Sequence, residues 1–195
     1  MTKKPELAWE NRDLTEIQVS GEWVFRGKLL QVRRDVVRLP DGATTEREYI
    51  DHPGAVLILP LFDNGELLLE RQYRYPLKRD MFELPAGKID PGEPPLETGR
   101  RELLEETGYT ASDWKHIGTI HLAIGYSNER IEIYLARGLE HQGAKLDHGE
   151  FIEIFKLPLA TALEWVRQGR ITDSKTIAGL LWAEKIASGS WPSDK

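Results

Sequence analysis

Acidic side chains are concentrated between Pro94 and Gly108, in a stretch whose ends are typical of one helix. Proline is common in the first helical turn, and glycine commonly follows the last. At about 100° per residue, Glu102, Glu105 and Glu106 fall within an arc of roughly 100°. These carboxylates repel one another, and a hard divalent cation, which takes oxygen ligands and shares them with phosphates, would offset the repulsion. The ordinary alternative is an acidic helix face in solvent.

A neighbouring face of this helix is apolar and predicts packing on a sheet. Leu103 and Thr107 belong to that face, and Gly99 lies between it and the acidic face. Because glycine inside a helix costs about 1 kcal/mol relative to alanine, Gly99 indicates either close approach to the sheet or simple tolerance. A strand that ends at Ala86, before a glycine turn at Gly87, would leave backbone carbonyls beside the helix as further ligands.

Composition excludes several classes of protein. The 195 residues are 40% hydrophobic and 30% charged, which suits a globular protein of one main domain. A net charge of −6 without a basic stripe argues against a nucleic-acid partner. The sequence contains no cysteine, which excludes disulfides, a thiolate nucleophile and a cysteine zinc site. No apolar run is long enough to span a membrane, so we expect a cytoplasmic protein without a membrane partner.

The chain divides into a small N-terminal β unit, residues 1–52, and a main domain, residues 53–195. Strand-like patterns over 17–37 and 44–50 are joined by the turn signal Pro40–Gly42, which predicts an antiparallel hairpin. The main domain mixes strands with a few helices without regular alternation. This mixture predicts an α/β (α+β) sandwich, with a mixed sheet between helical layers.

Within the main domain, residues 55–62 form a nearly continuous apolar run that predicts a buried central strand. Residues 136–149 are expected to form a loop. Further strands are predicted over 66–75, 81–84, 114–120, 130–136 and 150–157, and helices over 158–168 and 173–187.

The stretch from Gly87 to Tyr109, GKIDPGEPPLETGRRELLEETGY, resembles the Nudix box in full. Seven polar or glycine positions agree over 23 residues, so chance agreement is very improbable. The resemblance therefore favours a metal-binding helix over a solvated acidic face. Tyr109 stands where an aliphatic residue is more usual in the family.

Other segments extend the resemblance to the ADP-ribose and nucleoside diphosphate sugar pyrophosphatase branch. They begin at Glu46 (EREYIDHPGA), Arg71 (RQYRYP), Glu83 (ELPAG) and Gly149 (GEFIEI). The resemblance implies a Nudix-type α/β/α sandwich and Mg²⁺- or Mn²⁺-dependent hydrolysis of a nucleotide sugar. Water would attack phosphorus, giving a nucleoside monophosphate and a sugar phosphate. It also implies a homodimer in which the N-terminal unit is swapped onto the second subunit.

The resemblance assigns the metal to three glutamates and one backbone carbonyl, namely Glu102, Glu105, Glu106 and Ala86. Glu93 and Arg101 are expected to orient the box. The general base would come from a late loop, where Glu150 matches best and Glu153 is the reserve. A strand-end acid facing solvent is the alternative for Glu150.

The expected substrate contacts come from several segments. Arg71 and Arg74 end a strand whose next turn faces the box, and an arginine fork suits phosphate oxygens, although surface salt bridges are the alternative. The resemblance adds four residues of the N-terminal unit and one acid near the terminal sugar: Arg47, Tyr49, Trp23, Phe25 and Glu129. Base stacking is the role considered for the two aromatic residues, with core or dimer packing as the alternative.

One segment departs from the ADP-ribose-preferring pattern. Residues 122–129, LAIGYSNE, lack the proline usual there, which leaves other nucleoside diphosphate sugars open as substrates. A second hypothesis is a nucleotide-sugar-sensing Nudix module without catalysis, although the complete box argues against it. Isopentenyl diphosphate isomerase is disfavoured because that related reaction uses a cysteine.

Overall fold

The computed structural model describes residues 13–143 and 151–191. The chain forms two compact units. The first comprises the described residues up to His52 together with Gly125–Asn128, and the second comprises the other described residues. No helix among the described residues is long and apolar enough to cross a membrane.

The first unit is a three-stranded antiparallel sheet in the order β1-β2-β3. Its strands are β1 (Ile17–Arg26), β2 (Gln31–Arg38) and β3 (Thr44–Ile50). The predicted turn joins β2 to β3, where Gly42 has the positive φ of +91° that favours glycine. The antiparallel N-terminal unit predicted from the sequence is thus confirmed.

The second unit contains two sheets. Its strands are β4 (Ala55–Pro60), β5 (Glu66–Arg74), β6 (Arg79–Glu83), β7 (Ala86–Lys88), β8 (Tyr109–His121), β9 (Arg130–His141) and β10 (Ile152–Pro158). One sheet has the order β7-β4-β9-β8 and is mixed, because β4 and β9 run parallel. The other, β10-β5-β6, is antiparallel.

Among the described residues, three α-helices cover these sheets: α1 (Pro95–Thr107), α2 (Leu159–Arg167) and α3 (Ser174–Ala187). Helix α1 begins with proline at its first position, which needs no backbone N–H there. It ends at Gly108, whose φ of +73° closes the last turn. Asp173 caps α3 by accepting a hydrogen bond from the Thr176 backbone N–H at 3.0 Å.

Strand β4 explains how one sheet supports helices on both faces. Val56 and Ile58 join the apolar cluster that contains Leu103 of α1. Leu57 and Leu59 point to the opposite face, where the larger cluster includes residues of α2 and α3. Because successive strand residues face opposite sides, a strand buried on both faces is apolar throughout. The predicted mixed sheet between helical layers is confirmed.

Two local predictions were wrong. The glycine turn expected at Gly87 is part of strand β7, which pairs with β4. The loop expected from residue 136 is strand as far as His141, and its partner β8 begins at Tyr109. Gly138 makes this stretch resemble a loop, but the ladder from Tyr109↔His141 to His121↔Arg130 overrides the local preference.

Candidate active site

Helix α1 and strand β7 bring the acidic face of the helix against a strand. Glu106 is buried, and its Oε2 accepts a hydrogen bond from the Ala86 backbone N–H at 3.2 Å. Ala86 is fixed in turn by its pairing with Leu57 of β4. The structure therefore places Glu106 beside the residue whose backbone carbonyl was predicted to bind metal.

Gly87 makes room for a second carboxylate of the helix. A Cβ atom at this position would lie 1.9 Å from both Cδ and Oε1 of Glu102. Any side chain at residue 87 would thus displace the Glu102 carboxylate.

Gly99 allows close packing on the apolar face of the helix, where a Cβ would lie 3.3 Å from atoms of Trp114 and Val56. Close approach to the sheet, not simple tolerance, accounts for this glycine.

Arg101 is the cation of the cluster. Its Nη1 donates to Glu102 Oε1 at 2.8 Å and to Glu105 Oε2 at 3.1 Å. Its Nε and Nη2 form two further bonds, each of 3.0 Å, with the Glu93 carboxylate. Glu93 also accepts a hydrogen bond from the buried Thr98 hydroxyl. Arg101 therefore connects the turn before the helix to two glutamates of the acidic face.

These contacts keep Glu93 ionised. The hydrogen bonds from Arg101, opposed by burial and helped by Thr98, lower the pKa of Glu93 to about 2. The same carboxylate raises the pKa of the Arg101 guanidinium above its ordinary value. Both groups are charged throughout the neutral pH range.

The donor set of the cluster fits a hard divalent cation. Glu102, Glu105 and Glu106 offer only oxygen atoms, and Gly87 leaves space for the first of these carboxylates. Within the described residues, no three His, Cys, Asp or Glu side chains converge on one point as they stand. In this arrangement Arg101 Nη1 donates hydrogen bonds to the carboxylates of both Glu102 and Glu105.

The two predicted phosphate-binding arginines lie in different environments. Arg74 makes a bidentate pair with the buried Glu83, with Nε–Oε1 at 2.6 Å and Nη2–Oε2 at 2.8 Å. Arg71 is exposed and pairs more loosely with Glu153 at 3.3 Å. Arg74 is thus rigidly oriented, whereas Arg71 is held only by surface contacts.

The remaining candidates of the second unit are less defined. Glu150, the preferred general base, lies outside the described residues. Glu153, the reserve base, is exposed on β10 and bound to Arg71. Glu129 is half-buried immediately before β9.

In the first unit, the candidate substrate residues lie on the two outer strands of the sheet, β1 and β3, which flank β2. Arg47 binds Glu16 through Nε at 2.9 Å and Nη2 at 2.6 Å. The Tyr49 hydroxyl donates to Asp35 at 3.0 Å. Phe25 is exposed, and the face of Trp23 has guanidinium neighbours.

Two residues of this unit were missed by sequence reasoning. Arg33 lies 4.9 Å from the Trp23 ring centroid and is fixed by a 3.1 Å bond to the buried Asp35. Their i, i+2 spacing on β2 places them on one sheet face, which is the signal that could have revealed them.

Comparison with known proteins agrees with this fold. Residues 51–178 match the family model of the NUDIX domain, and residues 16–50 match that of the nucleoside diphosphate sugar hydrolase N-terminal domain. The solved structure of an ADP compounds hydrolase matches with a TM-score of 0.81 at 24% identity, covering 92% of this chain and 98% of that one. This match shows the fold, an α/β sandwich of the Nudix type.

Two sequence relatives support the assignment of the chain to a family. The chain is 36% identical over 171 residues to the methanol dehydrogenase activator of Bacillus methanolicus, covering 87% of this chain and 92% of the relative. It is 37% identical over 167 residues to the ADP-ribose pyrophosphatase of Bacillus subtilis, covering 85% and 90%. The chain therefore belongs to the Nudix family of hydrolases, and the resemblance found in its sequence is confirmed.

Proposed function

We propose that this protein hydrolyses the diphosphate of ADP-ribose or a related nucleoside diphosphate sugar, giving a nucleoside monophosphate and a sugar phosphate. The observation that carries the proposal is the cluster of Glu102, Glu105 and Glu106 beside Ala86, with Gly87 leaving room for a carboxylate. The Bacillus subtilis relative, an ADP-ribose pyrophosphatase, supports the substrate class. A cytoplasmic location remains a prediction.

In this proposal the three box glutamates and the Ala86 carbonyl hold Mg²⁺ or Mn²⁺. The ion, when bound, neutralises phosphate charge and lowers the pKa of the attacking water. Arg101 and Glu93 keep the acidic face oriented through the contacts described above. Glu150 takes the proton of the water as general base, with Glu153 as the alternative.

Substrate recognition is assigned to charged and aromatic side chains outside the metal site. Arg74 binds the diphosphate, and Arg71 adds a more mobile positive charge, since guanidinium groups suit phosphate oxygens. Glu129 contacts the terminal sugar. The nucleoside is assigned to four residues of the first unit, namely Trp23, Phe25, Arg47 and Tyr49.

A homodimer is part of the proposal. Strand β1 exposes large apolar side chains, including Ile17 (59% exposed), Val19 (51%) and Phe25 (54%). An exposed apolar strand favours burial against a partner. Sedimentation velocity at micromolar concentration tests this: a single monomeric species would rule the dimer out.

The activity is tested with the full chain, Mg²⁺, and a panel of ADP-ribose and several nucleotide sugars. We expect release of AMP from ADP-ribose, or of the matching monophosphate from another member, detected by chromatography. Omission of the metal with added chelator should abolish release. No monophosphate from any substrate would contradict the proposal.

A second candidate is a nucleotide-sugar-binding module that regulates a partner without catalysis. The observation that favours it is the relative named methanol dehydrogenase activator. Calorimetric titration alongside the product assay separates the two functions. Tight binding of ADP-ribose without product formation would identify the module, whereas turnover identifies the hydrolase.

A further inference from the structure

A second cluster of charged side chains, outside the acidic helix, joins the start of α3 to strands β5 and β6. It contains Arg74, Glu83, Asp173 and Lys175. Lys175 Nζ contacts the Glu83 carboxylate, and it also donates to Asp173 Oδ2 at 2.8 Å. The Glu83 side chain is only 3% exposed and that of Lys175 only 12%. Glu83 is therefore paired with two cations, because Arg74 binds both of its oxygens and Lys175 contacts Oε2.

The charges of this cluster persist despite burial. Burial alone would raise the pKa of Glu83, but hydrogen bonds from Arg74 and the charge of Lys175 outweigh it and set that pKa at about 2. Burial would likewise lower the pKa of Lys175, yet Asp173 and Glu83 together raise it. Lys175 is therefore positively charged at neutral pH, between the buried Glu83 and the partly buried Asp173.

The first turn of α3 also fixes the backbone next to Glu83. The Thr176 hydroxyl accepts a hydrogen bond from the Leu84 backbone N–H at 2.9 Å, in a fully buried position. Two residues further on, the Ala86 N–H donates to Glu106. A segment of four residues therefore connects the partner of Arg74 to the acidic helix.

We infer that Lys175 is a positioning residue that acts through Glu83 to hold the Arg74 guanidinium in place for the diphosphate. The inference rests on the proposed function, in which Arg74 binds that group. Arg74 uses Nε and Nη2 for Glu83, and among residues 13–143 and 151–191 its Nη1 has no hydrogen-bond partner. Because Glu83 pairs with both Lys175 and Arg74, its carboxylate is held in one orientation. The bidentate pair with this carboxylate in turn fixes the direction of Arg74 Nη1.

The first test is steady-state kinetics of Lys175→Met with ADP-ribose and Mg²⁺. We expect KM to rise roughly tenfold, corresponding to about 1.4 kcal/mol, while kcat changes less. Lys185→Met is the matched control, because Lys185 lies on the same helix and its side chain, 45% exposed, forms an ion pair with the neighbouring Glu184 at the surface. This control should retain the wild-type KM.

A double-mutant cycle separates positioning from a merely structural role. If Lys175 acts through Glu83, adding Lys175→Met to Glu83→Gln should leave KM close to that of Glu83→Gln alone. Independent, additive effects on KM would overturn the inference.

A further variant tests the inference in case Lys175→Met does not fold. Lys175→Met leaves two carboxylates with one cation, so Asp173→Asn/Lys175→Met removes one charge of each sign. Asparagine caps a helix about as well as aspartate, so α3 should be retained. We expect this variant to fold with the raised KM, and a wild-type KM would count against the inference.

Nuclear magnetic resonance of the Arg74 Nε–H gives a readout that does not depend on turnover. The signal is identified by its loss in Arg74→Lys. It should exchange slowly with water in the wild type and in Lys185→Met, and quickly in Lys175→Met and in Asp173→Asn/Lys175→Met. Unchanged exchange would overturn the inference. If the wild type hydrolyses no substrate, the proposed function fails, while this measurement still decides whether Lys175 positions Arg74.

Discussion

The clusters around Arg101 and around Glu83 both pair carboxylates with basic side chains, but they differ in their balance of charge. The single guanidinium of Arg101 forms ion pairs with three carboxylates, those of Glu93, Glu102 and Glu105, and the side chains of this cluster are partly exposed to solvent. Glu83 shares Arg74 and Lys175 with one further acid and is almost completely buried. The first cluster carries excess negative charge, whereas the charges of Glu83, Asp173, Arg74 and Lys175 balance, with the buried Glu70 as a further acid that acts on Arg74.

This difference shows how charge balance separates two roles. Carboxylates in excess repel one another, so an added cation stabilises them. A buried network tolerates no such excess, because an uncompensated charge away from water is very costly. The acidic helix is therefore suited to capture a metal ion, and the balanced cluster is suited to hold a side chain in one orientation.

The largest expected effect comes from removing one charge of the acidic helix. Glu106→Gln keeps the shape of the side chain but removes a metal-binding carboxylate, so we expect kcat/KM to fall by several orders of magnitude with little change in Tm. Glu97→Gln is the control, since Glu97 is an exposed acid of the same helix that binds Arg100. Equal losses in both variants would show that the acidic face has no special role.

Acid unfolding tests the balanced cluster. The pKa of Glu83 is about 2 in the folded protein against an ordinary value of 4.5, so its ion pairs contribute stability above about pH 4.5. That contribution is lost as the pH falls towards 2. The difference in free energy of unfolding between wild type and Glu83→Gln should therefore shrink by roughly 3 kcal/mol across this range.

Denaturant titrations at several pH values measure this difference. Glu97→Gln again serves as the control and should show no comparable pH dependence. A constant difference between wild type and Glu83→Gln from pH 5 to pH 2 would mean that Glu83 is not the group that loses its charge.

Gly87→Ala probes the space in the acidic cluster without changing any charge. The new Cβ would meet the Glu102 carboxylate at 1.9 Å, so that carboxylate must move. Displacing one ligand should weaken metal affinity or activity roughly 10- to 100-fold, as found for groups that orient metal ligands. The Mg²⁺ dependence of the rate measures it, with Tm as the check on folding. Unaltered Mg²⁺ dependence would place Glu102 outside the metal site.

The smallest effect is expected at the surface of α1. Glu97 and Arg100 form an exposed pair at 2.8 Å with side chains that are about half exposed. Exposed pairs of this kind contribute about 0.2–1 kcal/mol. Glu97→Gln should therefore lower the free energy of unfolding by less than about 1 kcal/mol in a urea titration. A larger loss would contradict the expectation that surface ion pairs contribute less to the free energy of unfolding than buried ones.

The sequence predicted the elements whose patterns are local. Helix α1 follows from its prolines, its acidic arc and Gly108, and the N-terminal hairpin follows from its turn. The full length of β9 was not predicted because Gly138 weakens the strand pattern. The strand extends to His141 because it pairs with β8.

The sequence by itself determined the family, the mixed fold and the acidic face of α1, since side-chain spacing fixes which residues share a helix face. Only the tertiary structure decided which distant groups meet. Lys175 and Glu83 are 92 positions apart, and the carboxylate above Gly87 comes from another element. Such contacts depend on how helices dock on strands, which no local pattern specifies. The charge of Lys175 was visible in the sequence, but its burial between two carboxylates was not.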